Sequence, residues 1–351
     1  MTNAFTSSGV FGGLLHDPDI AAEFGAQAFI GRMLAFEVAW TQALHGAGVV
    51  SEQDAEAALA AINGFASDTL GAGSDRDGMP VPALVATLKA GLAEGPARAV
   101  HTGATSQDVI DTAMVLTCLA VTDELTARLT RICVGLDTVK ARFGDTPLQA
   151  RTRMQVALPA TAALRIDAWR RPLAGHLARV AALRAELACV QIGGPIGLRD
   201  TPHAHVTACA GQVADALGLT LGPVWHTDRS PFVAFGHWLM LVTGSLGKIG
   251  QDAALMAQQG VAEIALAGGG GSSAMAHKQN PVGAETLVSL ARYVAGQQGI
   301  LGQAMIHEQE RSGAAWALEW LTVPAMAEAA GAALNHAEKL IASIERIGTE
   351  G

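Results

Sequence analysis

The 351-residue sequence is short of several things at once, and each shortage removes a class of function. It has four cysteines, Cys118, Cys133, Cys189 and Cys209, each set singly in an apolar pattern. With no CxxC spacing they imply neither a zinc ribbon nor a disulfide framework, but buried, reduced thiols. Charged residues make up only 16% and the formal net charge is −9, so no basic face for a phosphate backbone is expected and nucleic acid is excluded as a partner. Apolar stretches are broken by polar residues before they reach the roughly 18 positions of a membrane span, which excludes a membrane partner as well. The first fifteen residues have no basic segment ahead of their short apolar patch, unlike a secretory signal, and a cytoplasmic location is expected.

Histidine is not scarce, but it is scattered. His203-Ala204-His205 is the one arrangement that suggests a metal, and no third ligand lies at a recognisable spacing. No metal and no organic cofactor are expected.

What the sequence does have is apolar bulk, at 50% hydrophobic residues, enough for a large core. From Gln27 to Gly48 apolar residues recur at Phe29, Met33, Phe36, Trp40 and Leu44, the spacing of one helix face. Ser51 with Asp54 reads as a capping box ahead of a helix from Ala55 to Phe65, and Gly71 to Pro82 as a turn-rich break. These pieces predict a small N-terminal helical domain over residues 1–100. Residues 101–351 predict a central bundle of long helices, roughly Asp108 to Phe143, Pro159 to Val190, Pro231 to Leu266, Pro281 to Gly313 and Ala314 to Ile347. The first would be roughly 54 Å long at about 1.5 Å per residue. The fold class is therefore all-α. Alanine and glycine on these helices permit close contacts, and the largely apolar Pro231–Leu266 stretch needs neighbouring helices or subunits to cover it.

The densest chemistry lies in Gly268 to Glu285, GGGGSSAMAHKQNPVGAE. Four glycines allow a loop that swings and approaches a ligand closely. Asn280 is a good N-cap and Pro281 a good first helical residue, so the loop ends where a helix dipole begins. A serine hydroxyl serves as a base only if its anion is stabilised, and Lys278, His277 and a helix N-terminus are groups that do so. A Gly/Ser linker has the same composition over its first six residues. A second polar cluster, HTGATSQDVIDT from His101 to Thr112, leads into the first long helix, where Thr105, Ser106 and Asp108 are all able to cap.

GSSAMAHKQNP is similar to the GSSxMPxKxNP signature of the fumarase/aspartase superfamily, helical enzymes that add or eliminate beside a carboxylate. The resemblance implies that Ser272 is the general base, that Lys278 and Asn280 hold substrate carboxylates with His277 alongside, and that Glu285 supports them. His101 to Thr112 resembles the superfamily's first region, which selects His101, Thr105 and Ser106 for substrate and Asp108 for orientation. RTRMQVALPAT, from Arg151 to Thr161, resembles the second region and offers Arg151, Thr152 and Gln155. Ala276 departs from the signature proline. Arg153 stands where many relatives have histidine, and a guanidinium cannot shuttle protons near neutral pH, so it clamps a carboxylate or is a solvated helix-start charge.

VQIGGPIG from Val190, WHTDR from Trp225 and ERSGAAWALEW from Glu310 resemble the branch of bacterial 3-carboxy-cis,cis-muconate cycloisomerases. That branch implies lactonisation of a small polycarboxylate through an aci-carboxylate. It also implies a homotetramer with active sites shared between subunits, and a C-terminal helical domain that this sequence has in truncated form. Two alternatives stay open, a C–N lyase like adenylosuccinate lyase that releases fumarate, and a catalytically silent scaffold.

Overall fold

The computed structural model describes residues 7–66, 70–271, 275 and 278–348. The chain opens with α1 (Gly12–Leu15), α2 (Pro18–Glu23), α3 (Ala26–Gly46), α4 (Glu52–Asn63), α5 (Gly71–Asp77), α6 (Val81–Lys89) and α7 (Glu94–Ala99). The long α8 (Ser106–Phe143) follows, then a hairpin of β1 (Pro147–Thr152) and β2 (Gln155–Thr161), and then α9 (Ala162–Ala178), α10 (Val180–Leu187) and α11 (Val206–Ala216). Next come α12 (Ser230–Met256), β3 (Ile264–Leu266), α13 (Val282–Gln303), α14 (Ala314–Ala342) and β4 (Ile344–Ile347). The all-α class holds, with short strands that finish helical segments.

Helix starts follow local chemistry. Ser51 caps α4 by accepting the Asp54 N–H at 3.1 Å, as its spacing predicts. At the start of α8 the Asp108 carboxylate accepts the Thr105 N–H at 3.0 Å. Asp17 caps α2 and is buried against Arg128 of α8, which also reaches Asn335 of α14 at 3.1 Å. This clips the first helices onto the bundle.

One contiguous apolar core runs from Ile20 to Ile347 and takes residues from nearly every helix. Fully burying a side chain such as Phe232, Phe235 or Leu239 stabilises by about 1.5–3 kcal/mol each. Small residues let α12 and α13 touch: a Cβ on Gly250 would sit 2.4 Å from the Ala284 carbonyl oxygen, and one on Gly247 would sit 2.6 Å from Ala291 Cβ. Helix α12 is long and apolar enough to cross a membrane by length and composition, with mean hydropathy 1.3 over its best 18 residues. Here it is a core helix, packed against α9, α13 and α14.

Four predicted segments need correction. Gly71 to Asp77 is helical rather than a turn-rich break. The stretch beginning at Pro159 is the end of β2 followed by two helices that break at Arg179. Arg153 therefore belongs to a hairpin turn, not to a helix start. Helix α13 begins at Val282 with no side-chain cap, so Asn280 is not its N-cap. The backbone of Asn280 instead pairs with Gly270 in both directions, at 2.8 and 2.9 Å, and closes the neck of the glycine loop.

Candidate functional site

Three groups of residues carry polar chemistry, and α8 separates them. At 38 residues and about 1.5 Å per residue, this helix spans about 57 Å. The first group gathers at its N-terminus. Beyond its C-terminus lie the hairpin and the neck of the glycine loop.

At the N-terminal end Asp108 is fully buried and accepts four hydrogen bonds: from Thr105 N–H, from Gly193 N–H at 2.8 Å, from Gly194 N–H at 3.1 Å and from His226 Nε2 at 3.1 Å. A carboxylate this well supplied orients whatever is built on it. Gly193 has to be glycine, since a Cβ there would meet His226 Cε1 at 2.7 Å. One turn along, Asp111 receives Arg229 Nη1 at 2.7 Å and Nη2 at 3.0 Å, Trp316 Nε1 at 2.9 Å and Gln107 Nε2 at 3.0 Å. The other edge of the Arg229 guanidinium grips Glu319, through Nε at 2.7 Å and Nη2 at 2.6 Å.

Two carboxylates thus share one buried cation. Burial works against the charge of Asp111, but Arg229 and the neutral donors outweigh it and hold its carboxyl below the usual range. Among the described residues Glu319 has Arg229 as its only side-chain donor, and burial pushes it up to about 7. The two acids are therefore shifted in opposite directions.

The half-buried Thr105, Ser106 and His101 lie above this network. Arg311 donates from Nε to Gln107 Oε1 at 2.7 Å and from Nη2 to Thr105 Oγ1 at 3.2 Å, and it has no carboxylate partner among the described residues. His101 sits at a left-handed φ of 61°, with its Nδ1 2.6 Å from Glu37 Oε1.

At the far end Arg153 and Met154 form a two-residue hairpin turn with φ of 50° and 69°. Positive φ at both positions is what a tight twisted hairpin needs, and bulky side chains adopt it rarely. Arg151 is committed to the buried carboxylate of Glu263. A cavity of about 390 Å³ is lined by Arg151, Arg153, Arg165 and Lys248 together with Asp252 and Glu263. Lys248 pairs with Asp252, which leaves Arg153 and Arg165 without acidic partners among the described residues. Gln155 is exposed beside the turn.

Lys278 is exposed, and Glu285 projects from the first turn of α13. Asn280 lines a separate cavity of about 240 Å³ with His336 and Lys339. Ser272 and His277 lie outside the described residues. The four cysteines are free; Cys118, Cys133 and Cys209 are buried as expected, whereas Cys189 is only half-buried. Burial pushes the Cys118 thiol up, with Glu319 adding to the effect, so it is not a nucleophile at neutral pH.

A family model described as lyase matches residues 1–296 of the chain. The chain belongs to the fumarase/aspartase superfamily. Within that superfamily it is 36% identical over 334 residues to the 3-carboxy-cis,cis-muconate cycloisomerase of Pseudomonas aeruginosa, covering 92% of this chain and 72% of the relative. The crystal structure of the 3-carboxy-cis,cis-muconate lactonizing enzyme from Pseudomonas putida superposes with a TM-score of 0.88 at 33% identity, over 97% of this chain and 77% of that one. A nitrosuccinate lyase of Streptomyces davaonensis is 32% identical over 358 residues, 97% of this chain and 75% of its own.

The branch-specific segments now have a physical role. VQIGGPIG supplies the Gly193 and Gly194 amides and Gln191, WHTDR supplies His226 and Arg229, and ERSGAAWALEW supplies Arg311, Trp316 and Glu319. All three converge on the first turns of α8. The superfamily signals in the sequence located those segments without revealing what joins them. Glu37 and Arg165 have no such signal, because Glu37 meets His101, and Arg165 lines the hairpin cavity, only through the fold.

Proposed function

We propose that this chain is a 3-carboxy-cis,cis-muconate cycloisomerase, an intramolecular lyase that forms 4-carboxymuconolactone in protocatechuate breakdown. The observation that carries this reading is the 36% identity sustained over 334 residues to an enzyme of that name. One substrate carboxylate oxygen adds to a carbon of the double bond, the displaced electron pair moves onto the neighbouring carboxyl group as an aci-carboxylate, and a proton is then delivered to the carbon between them. No atom leaves. The main catalytic demand is stabilisation of the dianion, which preorganised cations and donors meet.

Ser272 is assigned proton transfer at carbon, with Lys278 and Glu285 beside it. Thr105, Ser106 and His101, oriented through Asp108, hold a carboxylate at the N-terminal end of α8, and Arg311 adds a cation there. Arg153 and Arg165 hold another at the hairpin, Arg151 being committed to Glu263, while Gln155, His277 and Asn280 complete the polar lining. No cofactor and no metal take part.

His101 and the hairpin lie toward opposite ends of a helix about 57 Å long, so each site is assigned to ends contributed by several copies in a cytoplasmic homotetramer. The row of exposed apolar residues on the hairpin, Met154, Val156 and Leu158, supports burial against a second copy.

The test is the ultraviolet absorbance of 3-carboxy-cis,cis-muconate with purified protein. A fall in the diene signal that disappears in Ser272→Ala, with the oligomer intact, is expected. An unchanged diene signal alongside turnover of nitrosuccinate would replace the reading with an elimination like that of the Streptomyces relative.

A further inference from the structure

Among the buried charges that the site does not use is the carboxylate of Glu37. It is fully buried in the middle of α3, and its Oε2 has no hydrogen-bond partner among the described residues. Its Oε1 meets His101 Nδ1 at 2.6 Å. The same face of α3 grips the backbone around that histidine: Trp40 Nε1 donates to the Thr102 carbonyl at 3.1 Å, and Thr41 Oγ1 to the Ala99 carbonyl at 2.9 Å. Positions 37, 40 and 41 are neighbours on a helix, so one ridge fixes the whole turn. That turn holds His101 at a left-handed φ of 61° and Gly103 at 91°. Such a conformation in a non-glycine residue persists only where its surroundings impose it.

We infer that Glu37 is a positioning residue that holds His101 as an imidazolium, with its Nε2–H directed outward to a substrate carboxylate; this rests on the reaction proposed above. A buried carboxylate without a charged partner is costly, and among the described residues His101 is the only ionisable group bonded to Glu37. With Nδ1–H spent on Glu37, the free donor of the ring is Nε2. The imidazole of His226, at the same end of the fold, differs on this point. His226 spends its Nε2 on Asp108 and its Nδ1 is sealed in, whereas the His101 side chain keeps 15% of its surface open to solvent.

The groups facing His101 come from every neighbouring element: Glu37 on α3, Asp108 on α8, Lys89 at the end of α6, and His205 ahead of α11, which contacts the Thr102 carbonyl at 3.3 Å. Burial is the largest influence on the ring and works against its charge, as does Lys89. The carboxylates of Glu37 and Asp108 outweigh both, and the net shift is upward from the ordinary 6.5.

Titration of the ring nitrogens by NMR, in protein labelled at histidine and with the His101 signal assigned by its loss in His101→Asn, reads this charge directly. In the wild type His101 should titrate above 6.5, and in Glu37→Gln its midpoint should move to lower pH. A wild-type midpoint at or below 6.5 overturns the inference, and so does a midpoint unmoved by Glu37→Gln. If Glu37→Gln fails to fold, the wild-type titration decides alone. With 3-carboxy-cis,cis-muconate as substrate, the alkaline limb of kcat/KM should move to lower pH in Glu37→Gln, through KM, while activity on the acid side is kept. A uniform loss at every pH indicates a merely structural role and overturns the inference. Absence of wild-type turnover with the raised titration intact sinks the assigned reaction and leaves the Glu37–His101 charge pair standing.

Discussion

The two ends of α8 solve the problem of placing polar groups in opposite ways. At the N-terminal end Asp108, Asp111, Arg229, His226 and Glu319 are sealed in a hydrogen-bonded network built within one chain. At the other end β2 is exposed along almost its whole length, and Arg153 stands on a strained turn in solvent. The first end is held in shape by its own interior. The second presents cations without acidic partners among the described residues and exposed apolar side chains, so its geometry depends on what is placed against it.

The largest expected effect is at the sealed end. Arg229→Met removes the cation between Asp111 and Glu319 and should cost about 3–5 kcal/mol in chemical unfolding, the usual result of stranding a buried charge. A loss under about 1 kcal/mol would mean that the network is not a closed unit. Asp108→Ala comes next. It strands the Thr105, Gly193 and Gly194 amides, and a loss of about 2–3 kcal/mol in the same measurement is expected.

A smaller effect should appear as pH dependence. Glu319 titrates at about 7 in the fold, above its ordinary 4.5, so the folded state binds its proton more tightly than the unfolded chain does. Its contribution to stability is full below about 4.5 and is lost as pH rises through about 7. The melting temperature of Glu319→Gln, measured against wild type from acid to neutral pH, should therefore improve relative to wild type as pH rises. A constant offset would show that Glu319 does not carry the raised proton affinity.

The smallest stability change is expected at the open end. Val156→Ser with Leu158→Ser should alter unfolding by no more than about 0.5 kcal/mol, the range of ordinary surface substitutions. Sedimentation velocity should nonetheless show a shift toward smaller species. A large stability loss in the isolated chain would break the contrast between the two ends.

The same contrast explains what was legible in the sequence. Helices α8, α12 and α14 follow from apolar spacing, and the Ser51–Asp54 pair and the Thr105, Ser106 and Asp108 cluster mark two helix starts, because both signals act within a few residues. The hairpin was not legible. Its turn is Arg153-Met154 rather than an Asn-Gly type pair, and Pro159 imitates a helix start. Asn280 was misread as a cap because its backbone pairing with Gly270 reaches across the loop. At the candidate site, residue types in His101–Asp108 and Arg151–Gln155 were visible, whereas the bonds that define them were not. Glu37 lies 64 positions from His101, and Arg229 lies 118 from Asp111 and 90 from Glu319. No local periodicity carries information over such separations.

The length of α8 also has a genetic consequence. On the shared-site proposal, a chain damaged at His101 still carries a sound hairpin and glycine loop, and a chain damaged at Lys278 still carries a sound N-terminal end. Assembled together, the two give some sites built wholly from undamaged parts. A cell holding one gene copy of each kind would regain an activity that neither copy supports alone, so a defect here would be inherited as a property of pairs of alleles.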